Sequence, residues 1–211
     1  MSPSIRTLLI VLLASVRPAL AEPRTDFDDG TAQGWSLAAP PSVGFLSVVP
    51  GGNPGHCLAA TDTEPAGAPL LARAPAEFTG DLSGFESIRW DEFVIDFGTD
   101  TVQATFILLR TAQGTIWANP TELEVVGAWH ARTAPLVESA WIHVSGSEPF
   151  STVLKNVEAL FLSMDTAYLD HSALESMVDN VALESPAATA AAAPLESSSW
   201  GLVKSRFAVR N

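Results

Sequence analysis

The chain has 211 residues, with 24 acidic side chains against 11 basic ones and a formal charge of −13. A surface that negative repels phosphate backbones and anionic lipids, so nucleic acid is not an expected partner. Cys57 is the single cysteine, so no intramolecular disulfide is possible and stability has to come from a core or from bound metal.

The opening residues, MSPSIR, place Arg6 beside the amino terminus, and Thr7 to Val16 is a mostly apolar run. That run is too short to span a bilayer. It is followed by Ala19-Leu20-Ala21, the small-x-small pattern of a cleavage site, so residues 1–21 read as a secretory signal peptide rather than an anchor. Its removal discards Arg6 and Arg17 and makes the mature chain more acidic still. The mature protein is expected in the periplasm or outside the cell, with no membrane span once the signal is gone.

Beyond the leader, turn-forming clusters arrive at short intervals: DDGTAQG at 28–34, APPS at 39–42, PGGNPG at 50–55, EPAGAP at 64–69, GDLSG at 80–84, FGTD at 97–100 and AQG at 112–114. The segments between them have the length of strands, which argues for an all-β antiparallel sandwich or barrel. In Arg89–Phe97 the alternation suggests Phe93, Ile95 and Phe97 facing the core, opposite Trp90, Glu92, Val94 and Asp96. Val102–Arg110 is largely apolar on both faces, as in a central strand. Further strands are expected over Thr115–Ala118, Leu123–Trp129, Trp141–Ser145, Val157–Met164 and Met177–Leu183. Glu148–Asn156 is the one place for a short helical turn, with Ser151 as its N-cap. Asp165–Ser176 reads as a loop.

In the stretch APAEFTGDLSGFESIRW at 74–90, Pro75 fixes φ, Gly80 and Gly84 permit turns, and Asp81 is placed to bond local amides. Phe78 and Phe85 would then fold inward. This is scaffold rather than a catalytic loop. The domain ends near residue 184. Residues 185–195, rich in Ala and Pro, form a tether, and 196–211 a short tail carrying Lys204, Arg206 and Arg210 beside Trp200 and Phe207. That tail is expected to be disordered, and it resembles the Trp-Gly-apolar-Lys-Ser-aromatic endings of some secreted bacterial proteins.

The motifs FDDGTAQGW at 27–35, GGNPGHCLAATD at 51–62, the 74–91 stretch, WIHVSGSEPF at 141–150 and VDNVAL at 178–183 together resemble the laminin B (laminin type IV A) domain. They are also similar to jelly-roll carbohydrate-binding modules of the galactose-binding type. The resemblance spans residues 26 to 184 and implies a jelly-roll β-sandwich over 22–184, with Trp35, Trp90 and Trp141 filling the core. It also implies that first and last strands lie side by side, bringing Asp28 and Asp29 toward Asp179 around a structural calcium ion. On the residues alone, Asp28 and Asp29 equally serve as turn caps.

Catalytic signals are weak. GDLSG lacks the spacing of a nucleophile elbow, and His56, His130, His143 and His171 are scattered without metal spacing. Trp117 and Trp129 flank the loop around ANPTE and are the candidates for stacking on a sugar face or a protein side chain, though aromatic residues are at home in strands in any case. Cys57, inside the patterned run HCLAA, reads as a small buried hydrophobe. The expected function is a secreted non-catalytic binding or structural module for glycan or matrix-protein partners at the cell envelope. The alternative is an extracytoplasmic hydrolase acting on polysaccharide.

Overall fold

The computed structural model describes residues 22–38, 44–63, 70–95, 106–120, 127–164 and 174–186. The strands, in chain order, are β1 (Arg24–Thr25), β2 (Ser36–Leu37), β3 (Gly44–Gly52), β4 (Gly55–Asp62), β5 (Leu71–Arg73), β6 (Ser87–Val94), β7 (Phe106–Arg110), β8 (Ile116–Pro120), β9 (Trp129–Pro135), β10 (Ile142–Ser145), β11 (Ala159–Ser163) and β12 (Leu174–Glu184). A front sheet runs β3-β4-β12-β6-β9, with β1 added alongside β12, and a back sheet runs β10-β8-β7-β11-β5-β2. Every pairing is antiparallel. The molecule is therefore an antiparallel β-sandwich of jelly-roll type.

The core lies between the sheets. Leu58, Ile88, Trp90, Val178 and Leu183 point inward from the front, and Ile107, Leu109, Trp117, Leu160 and Leu162 from the back. Each such side chain contributes about 1.5–3 kcal/mol by leaving water. The chain termini of the domain meet as expected, with Arg24 opposite Ala182 and Thr25 opposite Val181. β7 is central, between β8 and β11, which explains why both its faces are apolar.

The 74–90 stretch behaves as scaffold. Ala76–Phe78 forms a 3-10 turn with Phe78 buried, Gly80 at φ +90° bridges to Val157, and Phe85 packs against the core. Asp81 accepts hydrogen bonds from the Ser83 amide (2.9 Å) and hydroxyl (2.6 Å), which hold its carboxyl below the usual range.

Four expectations need correction. β6 is phased the other way: Ile88, Trp90, Glu92 and Val94 face inward, while Phe93 faces out. That phase buries Ile88, Trp90 and Val94, and Glu92 on the same face is accommodated by a long-range ion pair with Arg132 of β9, at 2.8 Å. Of the strand expected over Leu123–Trp129, residues 127–128 are a bend and Trp129 opens a strand that continues to Pro135. The helical turn, α1 (Phe150–Lys155), starts after Pro149, so Ser151 lies inside it and caps nothing; Phe150, Val153 and Leu154 anchor it to the core. The signal peptide, Phe97, residues 102–105, 123–126 and 165–173, and the linker and tail beyond residue 186 lie outside the described residues, while residues 174–176, expected to end a loop, belong to β12.

Candidate functional site

Because side chains alternate along a strand, the outer face of the front sheet can be read from register. One row crosses it edge to edge: Ser47, Ala59, Met177, Phe93 and Trp129. Phe93 and Trp129 are half-buried, with ring centroids 5.6 Å apart in an edge-to-face arrangement. The neighbouring row places Asp179 directly opposite Asp91.

The tip of the β3–β4 hairpin lies across this face. β3 and β9 are opposite edges of the sheet, yet the Trp129 indole N–H donates to the carbonyl of Gly51 at 3.2 Å. The Asn53 amide donates to Asp179 Oδ2 at 2.6 Å, and its side-chain Nδ2 reaches Asp91 Oδ2 at 3.4 Å. Asn180 completes the clasp. Its Nδ2 donates to the Asn53 carbonyl (2.7 Å) and to Asp91 (2.9 Å), while its Oδ1 accepts from Arg24 (2.7 Å). That reach depends on a bulge in β12 between Asp179 and Ala182, where Asn180 takes φ +50°, a left-handed conformation that Asn tolerates better than most residues. Gly52 is required too, since a Cβ there would stand 2.8 Å from Asp179 Oδ2 and closer still to the His56 backbone.

The expected metal residues are only partly gathered. Asp28 accepts from the His56 amide at 3.2 Å and touches Gly55, so Asp28 and Asp179 share the same hairpin. Asp179 is fully buried. Burial pushes its carboxyl pKa up, the Asn53 and Asn180 amides pull it down, and the charges of Asp28 and Asp91 push it up further. Asp29 turns elsewhere: it accepts from the Thr31 amide and hydroxyl, both at 2.8 Å, which lower its pKa, and so it acts as a turn cap. Hard carboxylate oxygens under mutual repulsion fit a hard cation in chemistry for Asp28 and Asp179, and Asp29 falls outside that set. Among the described residues, no group of three or more His, Cys, Asp or Glu side chains is placed to hold a metal ion. Cys57 is a buried residue of β4, opposite Val49 in the hairpin, its thiol pushed up to about 11 by burial and then by Asp179.

The two candidate indoles are on different sheets. Trp117, on β8, is 8% exposed in the core, packed on Phe150 (5.3 Å between centroids) with its N–H on the Glu148 carbonyl. Trp129 alone of the two stands on the outer face. Beyond the hairpin tip the same face opens into a cavity of about 540 Å³. Arg89 and Asp91 of β6, Arg24 of β1, and Asn53 and Asn180 line it, and none of these five was singled out from sequence. Asn–Pro–Gly at 53–55 signals a turn, but nothing local tells that the turn folds over a sheet.

No protein-family model matches the sequence, and no curated protein matches it. Solved structures do match in fold. The family 11 carbohydrate-binding module from Clostridium thermocellum, in complex with a β-1,3-1,4-mixed-linked tetrasaccharide, is 16% identical with a TM-score of 0.51, over 80% of this chain and 98% of that one. An exo-β-agarase matches at 13% identity and TM-score 0.57, over 79% of this chain but 25% of the agarase. The L4b domain of human laminin alpha-2 matches at 13% identity over 78% of this chain and 98% of that one, with a TM-score of 0.44, too loose to bear on detail. The resemblance to jelly-roll carbohydrate-binding modules thus holds at the level of fold.

Proposed function

We propose that this protein is a secreted, non-catalytic module that binds glycan on the outer face of its front sheet, at the cell envelope or outside the cell. The observation that carries the reading is the Phe93–Trp129 pair, two aromatic rings left half-exposed on that sheet beside a polar cavity. Aromatic faces stack on the apolar faces of sugars while polar groups nearby fix orientation. The tetrasaccharide held by the family 11 module of the same fold supports the ligand class. The acids that face each other across this sheet, Asp91 and Asp179, are closed over by Asn53, and Asp179 has no exposed surface, so that pair is not open to substrate as a hydrolase's two carboxylates must be.

The test is a glycan and matrix-protein array probed with wild type, Trp129→Ala and Trp117→Ala. Binding to glycan polymers lost in Trp129→Ala with the melting temperature kept supports the reading. Trp117→Ala should fail differently, by losing about 3–5 kcal/mol of stability as a core deletion. Wild-type binding to proteins only, or polymer binding indifferent to Trp129→Ala, would refute it.

We further propose that calcium clips the fold, with Asp28 and Asp179 supplying carboxylate oxygens and backbone carbonyls and water the remainder. Its chemistry would be charge neutralisation of acids the fold presses together. Calcium should raise the melting temperature and EGTA reverse it; a curve unmoved by either removes the metal.

A further inference from the structure

The hairpin tip divides the outer face. On one side lie Phe93 and Trp129, and on the other the polar cavity, with Asn53 and Pro54 forming the wall between them. The wall is held from both directions. Trp129 at one sheet edge holds Gly51, and Asp179, Asp91 and Asn180 on the central strands hold Asn53. An extended polymer lying across the sheet would therefore run into the tip and stop.

The cavity differs in character from the aromatic strip. Its lining includes two of the six basic side chains among the described residues, Arg24 and Arg89, on a chain with a formal charge of −13. Arg24 donates to the neutral amide of Asn180 rather than to a carboxylate, and Arg89 stands 3.7 Å from Glu184 with its side chain half exposed. Each guanidinium keeps donors for a ligand, because it has five and these contacts use few of them. The carboxylates of Glu22 and Glu184 supply acceptors, and with the buried Asp91 the acids of the lining outnumber the guanidiniums, which disfavours an anionic ligand. Alternating donors and acceptors in a pocket of this size suit adjacent hydroxyl groups.

We propose that this cavity is a second, separate subsite that takes the terminal unit of a neutral glycan, while the aromatic strip takes stretches within a chain. The proposal rests on the glycan-binding reading but not on Trp129. The experiment isolates it in full-length Trp129→Ala protein. An array of short neutral and uronate-bearing oligosaccharides selects the best neutral binder, which is then titrated by calorimetry alongside its parent polymer, which offers few chain ends. Expected is retained binding of the neutral oligosaccharide at one site per chain, little retention on the polymer, and a loss of about tenfold or more on adding Arg89→Ala, with an unchanged melting temperature. Binding that is indifferent to Arg89→Ala, that vanishes with Trp129 alone, or that prefers uronates would overturn the end-binding pocket and leave the aromatic strip standing. If wild type binds no glycan of any kind, the broader reading falls and this one with it.

Discussion

Asn53 and Asp179, 126 residues apart in sequence, are joined by a 2.6 Å hydrogen bond from a backbone amide to a fully buried carboxylate. A second amide, of Asn180, binds the other oxygen at 2.7 Å. Asp179→Ala leaves both donors without their acceptor and frees the hairpin tip. The expected cost is on the order of 2 kcal/mol or more, read by chemical denaturation. A loss within a few tenths of a kcal/mol would mean that the tip is not held this way.

Stability should carry the mark of Asp179 in its pH dependence. Burial raises the folded carboxyl above its ordinary 3.8, so the folded state holds this proton more tightly than the unfolded chain. The stabilisation from the protonated form is complete below the ordinary value and is lost as pH rises through the folded one. With chelator present, Asp179→Asn, which cannot ionise, should gain on wild type as pH climbs above about 4 and then level off. A difference that stays constant with pH would contradict the raised carboxyl.

The Arg132–Glu92 pair, with side chains 7% and 1% exposed, predicts an asymmetric response to substitution. Arg132→Met alone leaves a buried carboxylate without its cation and should cost about 3–5 kcal/mol. The double variant Glu92→Met with Arg132→Met should recover most of that loss. Additive single and double effects would show that the two groups are not energetically coupled.

Much of the scaffold was legible because its signals are local. Turn residues at short intervals marked the strands, and Pro75, Gly80 and Asp81 announced their own turn; the jelly-roll resemblance, rather than any local signal, implied that first and last strands lie side by side, as β1 and β12 do. The phase of β6 was hidden because alternation shows two faces without saying which is buried. Trp90 and Phe93 compete for the core, and the phase that buries Trp90 also turns Glu92 inward onto Arg132, 40 residues beyond it, which no local pattern connects to it.

The site was harder to see for the same reason. Trp117 and Trp129 look equivalent in sequence, twelve positions apart, until strand pairing assigns one to the back sheet's inner face and the other to the front sheet's outer face. Asp28 and Asp179 were placed together by the meeting of the chain ends. Asp29 left them because a Thr two residues on offers its amide and hydroxyl nearer at hand. Asn53 and Asn180 acquire their roles only when the hairpin folds over the sheet, an event written in contacts 127 residues apart.

The most direct measurement is a nitrogen–proton correlation titration of the protein with an array-selected glycan polymer, following the six indole N–H signals. The account predicts that the Trp129 indole shifts with saturating dependence on ligand while Trp117, Trp90 and Trp141, enclosed between the sheets, stay in place. Shifts centred on Trp117, or a Trp129 signal unmoved at saturation, would contradict it.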